Sequence, residues 1–441
     1  MKLRAFHASD GDCLLLSSGD RTPRHILVDG GRRTSYRANT RTLLGDMAAA
    51  HAKLDVICVS HIDDDHITGV LQLVEDEVEW RAFEFRQAEN PAEPEPAVPR
   101  PPAIGEVWHN GLFHLVGNDL ALSIEGVLEN VATLLAGAPD EDVQEIASQL
   151  DDLATGERSS MELSRRLSPE QLGIPLNPRA DGPLVKRGAP GTPAGGETVT
   201  LGALSMAVLG PSDDDIEKLR SKWQTWLAEN EKALRELQAD MLDDEERLGA
   251  LSPRIVANPM LDTALGEGLS QVTEANLASL MLLVEEGGAS VLLTGDGVSQ
   301  EILDGLAHHG KLDVNGRIHV SVLKVQHHGA LGNVEKKFVK SVTADHYVFC
   351  GNGAHDNPEI EVVQAFATVR LDGLDGEPAV GPPTPFKFWF TSSPDTPGLT
   401  PARRDHMIAV KDVVSELRQG HTARIRPATF LKEGSFEIDL S

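Results

Sequence analysis

Residue types that bind metal ions are concentrated at the end of one apolar run in the sequence. His61, Asp63, Asp65 and His66 fall within six residues, and the apolar run 54–60 comes directly before them. Imidazole nitrogens and carboxylate oxygens are ligands for divalent cations. Side chains this close in sequence converge on one point only where the backbone turns, as it does between a strand and the next helix. The pattern therefore predicts a metal site at the carboxyl end of a buried strand.

The acidic residues of this motif have a second interpretation. Asp63, Asp64 and Asp65 would also cap a helix and favour the positive end of its dipole. Capping requires only one carboxylate, however, and it explains neither His61 nor His66. We therefore favour a metal site over capping alone.

Three later segments repeat the arrangement of an apolar run followed by a metal-binding residue type. In chain order they are Asp296 after the run 290–294, His327 and His328 after 319–325, and His355 after 347–350. Ligand groups of layered α/β proteins gather at the carboxyl ends of strands. These residues are therefore expected to share one cleft with the first motif.

Together these motifs resemble those of the metallo-β-lactamase fold, whose first metal motif usually reads His-x-His-x-Asp-His. In this chain Asp63 stands where the second histidine normally stands. That variant is similar to the metallo-hydrolase domain of ComEC-type natural-competence proteins, which is implicated in degrading one DNA strand during uptake. Gly11-Asp12 before a strand, and Asp29 in an Asp-Gly-Gly sequence, also resemble this type. The implied fold is a four-layer αβ/βα sandwich of the α/β class, with two sheets face to face, helices outside, and helical and loop insertions.

The resemblance also implies a centre with two divalent metal ions. It assigns His61 and Asp63 to one metal, Asp65 and His66 to the other, and Asp296 to both as a bridging carboxylate. One histidine of the pair His327 and His328 completes the coordination of the second metal, and His327 is favoured. The expected metal ligands are therefore His61, Asp63, Asp65, His66, Asp296 and His327.

Two further residues are expected close to these ligands. Asp29 would orient a ligand from outside the metal shell, although capping of a turn is an equal alternative. Asn276 stands in an Asn-x-x-Ser-Leu sequence that agrees with the ComEC type, where other related enzymes carry a histidine. The first metal would then have fewer imidazoles. A larger share of oxygen ligands favours Mn²⁺ or Mg²⁺ without excluding Zn²⁺.

The implied chemistry is hydrolysis at phosphorus. Two metal ions about 4 Å apart would hold a bridging hydroxide as nucleophile and clamp the leaving oxygen. Lys324 would pair with a non-bridging phosphate oxygen. His328 or His355 would protonate the leaving group, although a structural histidine in a Gly-rich turn is an equal interpretation of His355. The predicted catalytic residues are Asp65, Lys324, His328 and His355.

Composition limits the partners of the chain. A net charge of −28 over 441 residues argues against a surface that tracks nucleic acid along many phosphates, although it does not exclude a nuclease. Six basic residues within 311–340 form either a short phosphate-facing patch or a solvated helix face. Cys13, Cys58 and Cys350 have no zinc-like or disulfide-like spacing and are expected as core residues in a reducing compartment. No apolar run of about 18 residues occurs, which predicts a cytoplasmic protein with no membrane contact.

Two insertions are predicted to interrupt the core. The range 76–197 contains Pro-rich loops and acidic segments of helical period. The range 212–262 contains a long charged helix that would pack on the core or, in a homodimer, on a second copy. The predicted core consists of 1–75, 198–211 and 263–441, and it closes with a hairpin at 424–440.

The preferred function is that of a metal-dependent nuclease or phosphodiesterase, with DNA as the favoured substrate. Hydrolysis of a small ester, lactone or lactam is the alternative on the same fold. A metal-free scaffold is disfavoured because it would not require so complete a set of ligands. The size and acidity of the insertions also suggest an effector of bacterial defence, which a regulatory protein partner or an activating protease would release.

Overall fold

The structure of the protein is a computed structural model that describes residues 1–111, 114–115, 158–180, 182–188, 198–221, 224–225 and 278–441. In chain order its strands are β1 Lys2–Phe6, β2 Leu14–Ser17, β3 His25–Val28, β4 Lys53–Cys58, β5 Ala103–Trp108, β6 Val199–Leu201, β7 Leu204–Gly210, β8 Met281–Glu286, β9 Ala289–Leu293, β10 Ile318–Lys324, β11 Val342–Phe349, β12 Lys387–Phe390, β13 Thr429–Phe430 and β14 Ser435–Asp439. Within the described residues these strands form two mixed sheets.

Each sheet has an antiparallel part and a parallel part. The first sheet has the order β14-β1-β2-β3-β4-β5, and it is antiparallel from β14 to β3 and parallel from β3 to β5. The second has the order β13-β12-β11-β10-β9-β8-β7-β6, and it is parallel from β13 to β9 and antiparallel from β9 to β6. The parallel parts contain the strands that precede the predicted ligands.

Helices connect the strands of the parallel parts. The α-helices include Arg33–Ser35, Arg41–Ala49, Asp64–Glu89, Ser299–His308, Lys336–Ser341, Ile360–Leu371 and Pro401–Gly420, and a π-helical turn covers Tyr36–Thr40. None of the helices in the described ranges is long and apolar enough to cross a membrane.

Three apolar clusters among the described residues mark the layers of the structure. One lies between the sheets and joins Ile26 of the first sheet to Val322 of the second. Another packs the helix Asp64–Glu89 on the other face of the first sheet. The third packs the helix Ile360–Leu371 and its neighbours on the other face of the second sheet. This mixed α/β arrangement is compatible with the predicted α/β sandwich.

Burial of β4 on both faces explains the apolar run before the first metal motif. Val56 and Cys58 face the cluster between the sheets, whereas Ile57 and Val59 face the helical side. A central strand with two buried faces requires apolar residues at successive positions. After Val59 the chain leaves the sheet and enters the helix Asp64–Glu89, as the sequence predicts.

The Asp-Gly-Gly sequence after β3 lets this helix approach the sheet closely. A Cβ atom at Gly69 would lie 2.0 Å from the carbonyl oxygen of Gly30. Gly30 N donates a hydrogen bond to His66 O at 2.9 Å, and Gly69 N donates to Gly31 O at 2.8 Å. These contacts fix the first turns of the helix, and they therefore fix the position of His66.

The predicted hairpin at 424–440 is wrong. β13 pairs with β12 in the second sheet, whereas β14 pairs with β1 in the first. Phe430 stacks on Phe390, and Phe436 belongs to the cluster between the sheets. Two strands that are adjacent in sequence therefore belong to different sheets, because each pairs with a strand distant in sequence.

The first predicted insertion overlaps elements of the core. The helix that begins at Asp64 continues to Glu89 and passes the predicted boundary after residue 75. β5 lies inside the range predicted as an insertion, yet it pairs with β4. Only the start of the second insertion is described, where 213–221 is helical and Leu219 is buried. The rest of the predicted long charged helix, Asn276 and all of 119–157 lie outside the described residues.

Candidate metal centre

Polar side chains from five segments meet at one edge of the two sheets. The loop after β4 carries His61, and the first turn of the following helix carries His66. Asp296 follows β9, and His328 follows β10. Asp12 lies just before β2, which runs antiparallel to β3, so that its start lies at the same edge as the end of β3. Each position is a strand terminus or the start of a helix, where the backbone is free to turn.

The Asp296 carboxylate lies at the centre of four imidazoles. The Nε2 atoms of His61, His66, His327 and His328 lie 3.7, 3.6, 3.7 and 3.4 Å from its oxygens. Two ligands of one tetrahedral ion, each about 2.1 Å from it, lie about 3.4 Å apart. The observed separations therefore fit ligands of a shared cation better than direct hydrogen bonds.

Two more carboxylates divide the imidazoles into two groups. Asp63 Oδ2 lies 3.4 Å from His61 Nε2. Asp65 Oδ2 lies 3.5 Å from His66 Nε2 and 3.1 Å from His328 Nε2. Within the described part of the chain, two sets of side chains have ligand atoms close enough together to hold a metal ion, namely Asp12, His66, Asp296 and His328, and His61, Asp65 and His66.

Asp29 and Ser60 orient the two imidazoles of the first motif. Asp29 Oδ2 lies 3.0 Å from His66 Nδ1, and because a carboxylate only accepts, that nitrogen donates. Ser60 Oγ donates to Asp29 Oδ2 at 2.7 Å and lies 3.0 Å from His61 Nδ1, which therefore donates to it. In both rings Nε2 faces the centre. Asp29 thus contacts His66 on the side of the ring that faces away from the centre.

Nδ1 of each later histidine also lies beside a side-chain oxygen. His327 Nδ1 lies 2.7 Å from Asn333 Oδ1, and Asn333 Nδ2 donates to Asp296 O at 2.9 Å, which fixes the amide orientation. His328 Nδ1 lies 3.3 Å from Asp12 Oδ1. All four imidazoles therefore direct Nε2 toward one carboxylate.

Several buried atoms at the centre lack a hydrogen-bond partner among the described residues. They include His61 Nε2, His66 Nε2 and Asp296 Oδ1, together with Asp12 Oδ1 and His328 Nδ1. Buried polar atoms are normally hydrogen-bonded, so orphaned acceptors at one point indicate a cation site. Asp63 and His327 expose 29% and 32% of their side chains, and the centre therefore opens to solvent on their side.

The carboxylates and imidazoles of the centre shift one another's pKa. Burial lowers the pKa of His66 and His328, but the carboxylates, Asp65 first for His66 and Asp296 first for His328, raise both well above the usual value. Burial raises the pKa of Asp65 and Asp296, but the imidazoles hold both well below the usual value. Protons and metal ions therefore compete for the same Nε2 atoms.

Lys324 lies inside the centre and not at its mouth. Its side chain is buried, and its Nζ donates to Gly295 O at 2.8 Å. The ammonium also forms an ion pair with Asp12 and lies 3.5 Å from Asp296 Oδ1. Its three N–H groups thus face acceptors of the protein. This favours a structural role for Lys324 over the predicted contact with a substrate phosphate.

His355 lies in the exposed turn Ala354–Asp356 that follows β11. Its backbone has a φ of 50°, which is unusual for a residue other than glycine. The same loop contacts the loop before β2, where Asn352 Nδ2 donates to Ser9 Oγ at 3.2 Å. The proton-donor role of His355 stays a prediction.

Three residues of the site were not assigned from the sequence. For Asp12 the sequence signal was the Gly11-Asp12 pair. In the structure a Cβ atom at Gly11 would lie 1.7 Å from Asp65 O, so the loop that carries Asp12 packs directly on the first metal motif. Ser60 precedes His61 directly, but a lone serine carries no pattern. Asn333 becomes visible only once the loop after β10 is folded.

Comparison of the chain with protein-family models and with curated proteins found no match. A fold by itself would not supply a function, because one fold carries many activities. The chemistry and geometry of the side chains are therefore the basis for assigning one.

Proposed function

We propose that the protein is a metal-dependent hydrolase of the metallo-β-lactamase fold, of the ComEC type, that cleaves phosphodiester bonds in DNA. The observation that carries the proposal is the convergence of four imidazole Nε2 atoms on the Asp296 carboxylate. The layered arrangement of two mixed sheets with the polar cluster at their common edge supports the fold assignment.

The charges of the centre support two divalent cations. Asp12, Asp29, Asp63, Asp65 and Asp296 supply five carboxylates, and Lys324 is the ammonium that lies among them. With neutral imidazoles four negative charges remain, which two divalent ions would balance. Burying these charges without cations would carry a large desolvation cost.

The geometry suggests which residues would hold each ion. His61, Asp63 and His327 would serve the ion nearer to solvent, and Asp65, His66 and His328 the deeper one, with Asp296 shared. In this division both histidines after β10 are ligands, whereas the sequence analysis favoured His327 for the second ion. The mixture of imidazole and carboxylate ligands is suited to Mn²⁺ or Zn²⁺, and Mg²⁺ is the harder alternative.

The protein's own residues set up the reaction. When bound, the cations supply Lewis-acid activation of water and of a phosphoryl oxygen. Asp29, Ser60 and Asn333 hold three imidazoles in the tautomer that leaves Nε2 for a ligand bond. The open side at Asp63 and His327 admits the phosphodiester. Because His328 lies among carboxylates as a ligand would, His355 is the proposed donor to the leaving oxygen.

Hydrolysis of a small ester, lactone or lactam is the second candidate. The net charge of −28 favours it, because a strongly acidic protein repels a long polyanion. The same centre would activate water for attack at a carbonyl carbon. Substrate class therefore depends on the rim of the site and not on the centre itself.

A substrate panel tests the proposal. The protein is loaded with Mn²⁺ or Zn²⁺ and incubated with plasmid, single-stranded DNA, RNA and a chromogenic lactam. We expect metal-dependent cleavage of DNA by the wild type and none by Asp296→Ala. Cleavage of the lactam alone would favour the second candidate. Equal cleavage of DNA by Asp296→Ala would assign the activity to a contaminant.

A further inference from the structure

We propose that Asp12 and Lys324 form an internal ion pair that orients His328 and that Asp12 is not itself a metal ligand. The inference rests on the metal centre proposed above and assigns a role to two residues next to that centre. Asp12 belongs to a set of side chains close enough to hold a metal ion, so the competing assignment is that Asp12 is a metal ligand.

Asp12 lies on the far side of the imidazoles from the centre. Its Oδ1 lies 3.3 Å from His328 Nδ1, and its Oδ2 lies 4.0 Å from His66 Nδ1. The opposite nitrogen of each ring, Nε2, is the one that faces Asp296. A metal ion at the Nε2 atoms would therefore have the imidazoles between it and Asp12.

Two buried atoms face each other between Asp12 and His328. Neither Asp12 Oδ1 nor His328 Nδ1 has a hydrogen-bond partner in the described part of the chain. Buried polar atoms rarely stay unpaired, and at 3.3 Å each is within reach of the other. Asp12 then does for His328 what Asp29 does for His66, at 3.0 Å.

Lys324 explains why Asp12 is used as an orienting group. The ammonium pairs with Asp12 Oδ2, donates to Gly295 O and lies 3.5 Å from Asp296 Oδ1. The side chains of Asp12 and Lys324 are 2% and 1% exposed, so solvent does not screen the pair. A carboxylate already neutralised in this way has less attraction for a metal ion.

The strand that supplies Lys324 also supplies His328. Lys324 ends β10, and the chain continues directly into the turn that contains both histidines. Asp12 lies in the loop before β2 of the other sheet. The ion pair thus joins the two sheets at the point where His328 must be held.

Titration of charge variants with Mn²⁺ tests the assignment, with calorimetry giving stoichiometry and affinity. Asp12→Asn retains an oxygen that accepts from His328 Nδ1, whereas Asp12→Ala does not. We expect Asp12→Asn to bind as many ions as the wild type. Asp12→Ala is expected to bind with an affinity lower by about 10- to 100-fold, the usual loss when an outer partner of a ligand is removed.

The absorption spectrum of bound Co²⁺ provides a readout of coordination that does not depend on activity. We expect the wild-type spectrum from Asp12→Asn and from the neutral double variant Asp12→Asn/Lys324→Met. Lys324→Met alone leaves Asp12 without its cation and is expected to alter the spectrum. The double variant keeps the test decisive if the single Lys324 variant does not fold.

Two outcomes would overturn the assignment. Loss of one bound ion, or a changed Co²⁺ spectrum, in Asp12→Asn and in the double variant would make Asp12 a ligand. An unchanged spectrum and affinity in a folded Lys324→Met would show that the pair orients nothing. The Asp296→Asn variant distinguishes failure of the Asp12 assignment from failure of the proposed metal centre. Undiminished metal binding in Asp296→Asn would contradict the centre itself, and Asp12 would then have no ligand to orient.

Discussion

His66 shows how a single side chain joins the centre to the protein around it. Its Nδ1 is held by Asp29, and its Nε2 faces Asp65 and Asp296. The ring is fully buried, so its orientation is set by protein groups and not by water. Outer partners of this kind fix both the tautomer and the direction of a ligand.

Removal of the Asp29 carboxylate should weaken metal binding without removing a ligand. We expect Asp29→Asn to lower the affinity for Mn²⁺ by about 10- to 100-fold, measured by calorimetry. Asp55→Asn is the matched control, because Asp55 is also a buried carboxylate of the first sheet but pairs with Arg24 and Lys53. An equal loss of affinity in both variants would indicate general destabilisation.

Metal binding should release protons and strengthen as the pH rises. The carboxylates raise the pKa of His66 and His328 well above the usual value, so these rings hold extra protons at neutral pH when no cation is bound. Each displaced proton changes the apparent affinity by about tenfold per pH unit until the pH passes the raised pKa.

Calorimetric titration in buffers of different ionisation enthalpy counts these protons. A positive number released at pH 7, with affinity falling as the pH is lowered, is the expected result. Affinity independent of pH between 6 and 8 would contradict the competition between protons and metal ions at Nε2.

The cluster of side chains near His61 could be predicted because the residue types and their spacing are specific to metal binding. Asp296 and the histidine pair were predicted because each follows an apolar run. The partners at Nδ1 had weaker signals, because a serine or an asparagine in a loop has many ordinary uses. Lys324 was expected at a phosphate, and only its burial shows that it faces inward.

At the scale of elements, the turn after β10 is the most strained part of the site. His327 and His328 have φ values of 45° and 55°, and Gly329 follows with 96°. Consecutive residues in this region are costly for side chains other than glycine and cluster at functional sites. The strain allows both imidazoles to point at Asp296 from adjacent positions.

Gly329→Ala should disrupt this turn. A Cβ atom there would lie 2.9 Å from Pro358 Cβ and 3.0 Å from Phe349 Cδ1, on a backbone that disfavours a side chain. We expect a loss of about 1–3 kcal/mol in the free energy of unfolding, together with weaker Mn²⁺ binding. Thermal denaturation and calorimetry measure the two effects.

Gly332→Ala provides the control within the same loop. A Cβ atom at Gly332 meets nothing within 4 Å. Its effect on stability should stay within about 0.5 kcal/mol. Equal losses in the two variants would mean that the loop tolerates no change and that the φ of Gly329 is not the cause.

Strands that are buried on both faces were the most predictable elements. β4, β9 and β10 stand out because successive apolar residues end in ligand types. The pairing of β13 and β14 was mispredicted because two short strands close in sequence favour a hairpin, whereas each strand in fact pairs with a strand distant in sequence, β13 with β12 and β14 with β1.

At the scale of the whole molecule, charge is the main constraint on substrate. The chain carries −28 at neutral pH, and the centre itself is acidic. Long polyanions are therefore repelled by the protein as a whole. The prediction that the acidic insertions restrain a nuclease until a partner or protease acts, and the prediction of a homodimer, belong to this scale and stay predictions.

Salt should affect cleavage of DNA in the direction opposite to that seen for basic nucleases. Added monovalent salt screens the repulsion, with a Debye length of about 10 Å at 0.1 M. We therefore expect the KM for a DNA substrate to fall as KCl is raised from about 10 to 100 mM. The KM for an uncharged lactone should not change, which serves as the control. A KM for DNA that rises with salt would indicate a basic binding surface.

The central claim is that residues far apart in the sequence share a pair of cations around Asp296. Anomalous diffraction from crystals grown with Mn²⁺ tests it most directly. The prediction is two peaks about 4 Å apart, each about 2.0–2.3 Å from an Asp296 carboxylate oxygen. Anomalous peaks that avoid Asp296, or none near the imidazoles of His61 and His66, would contradict the claim.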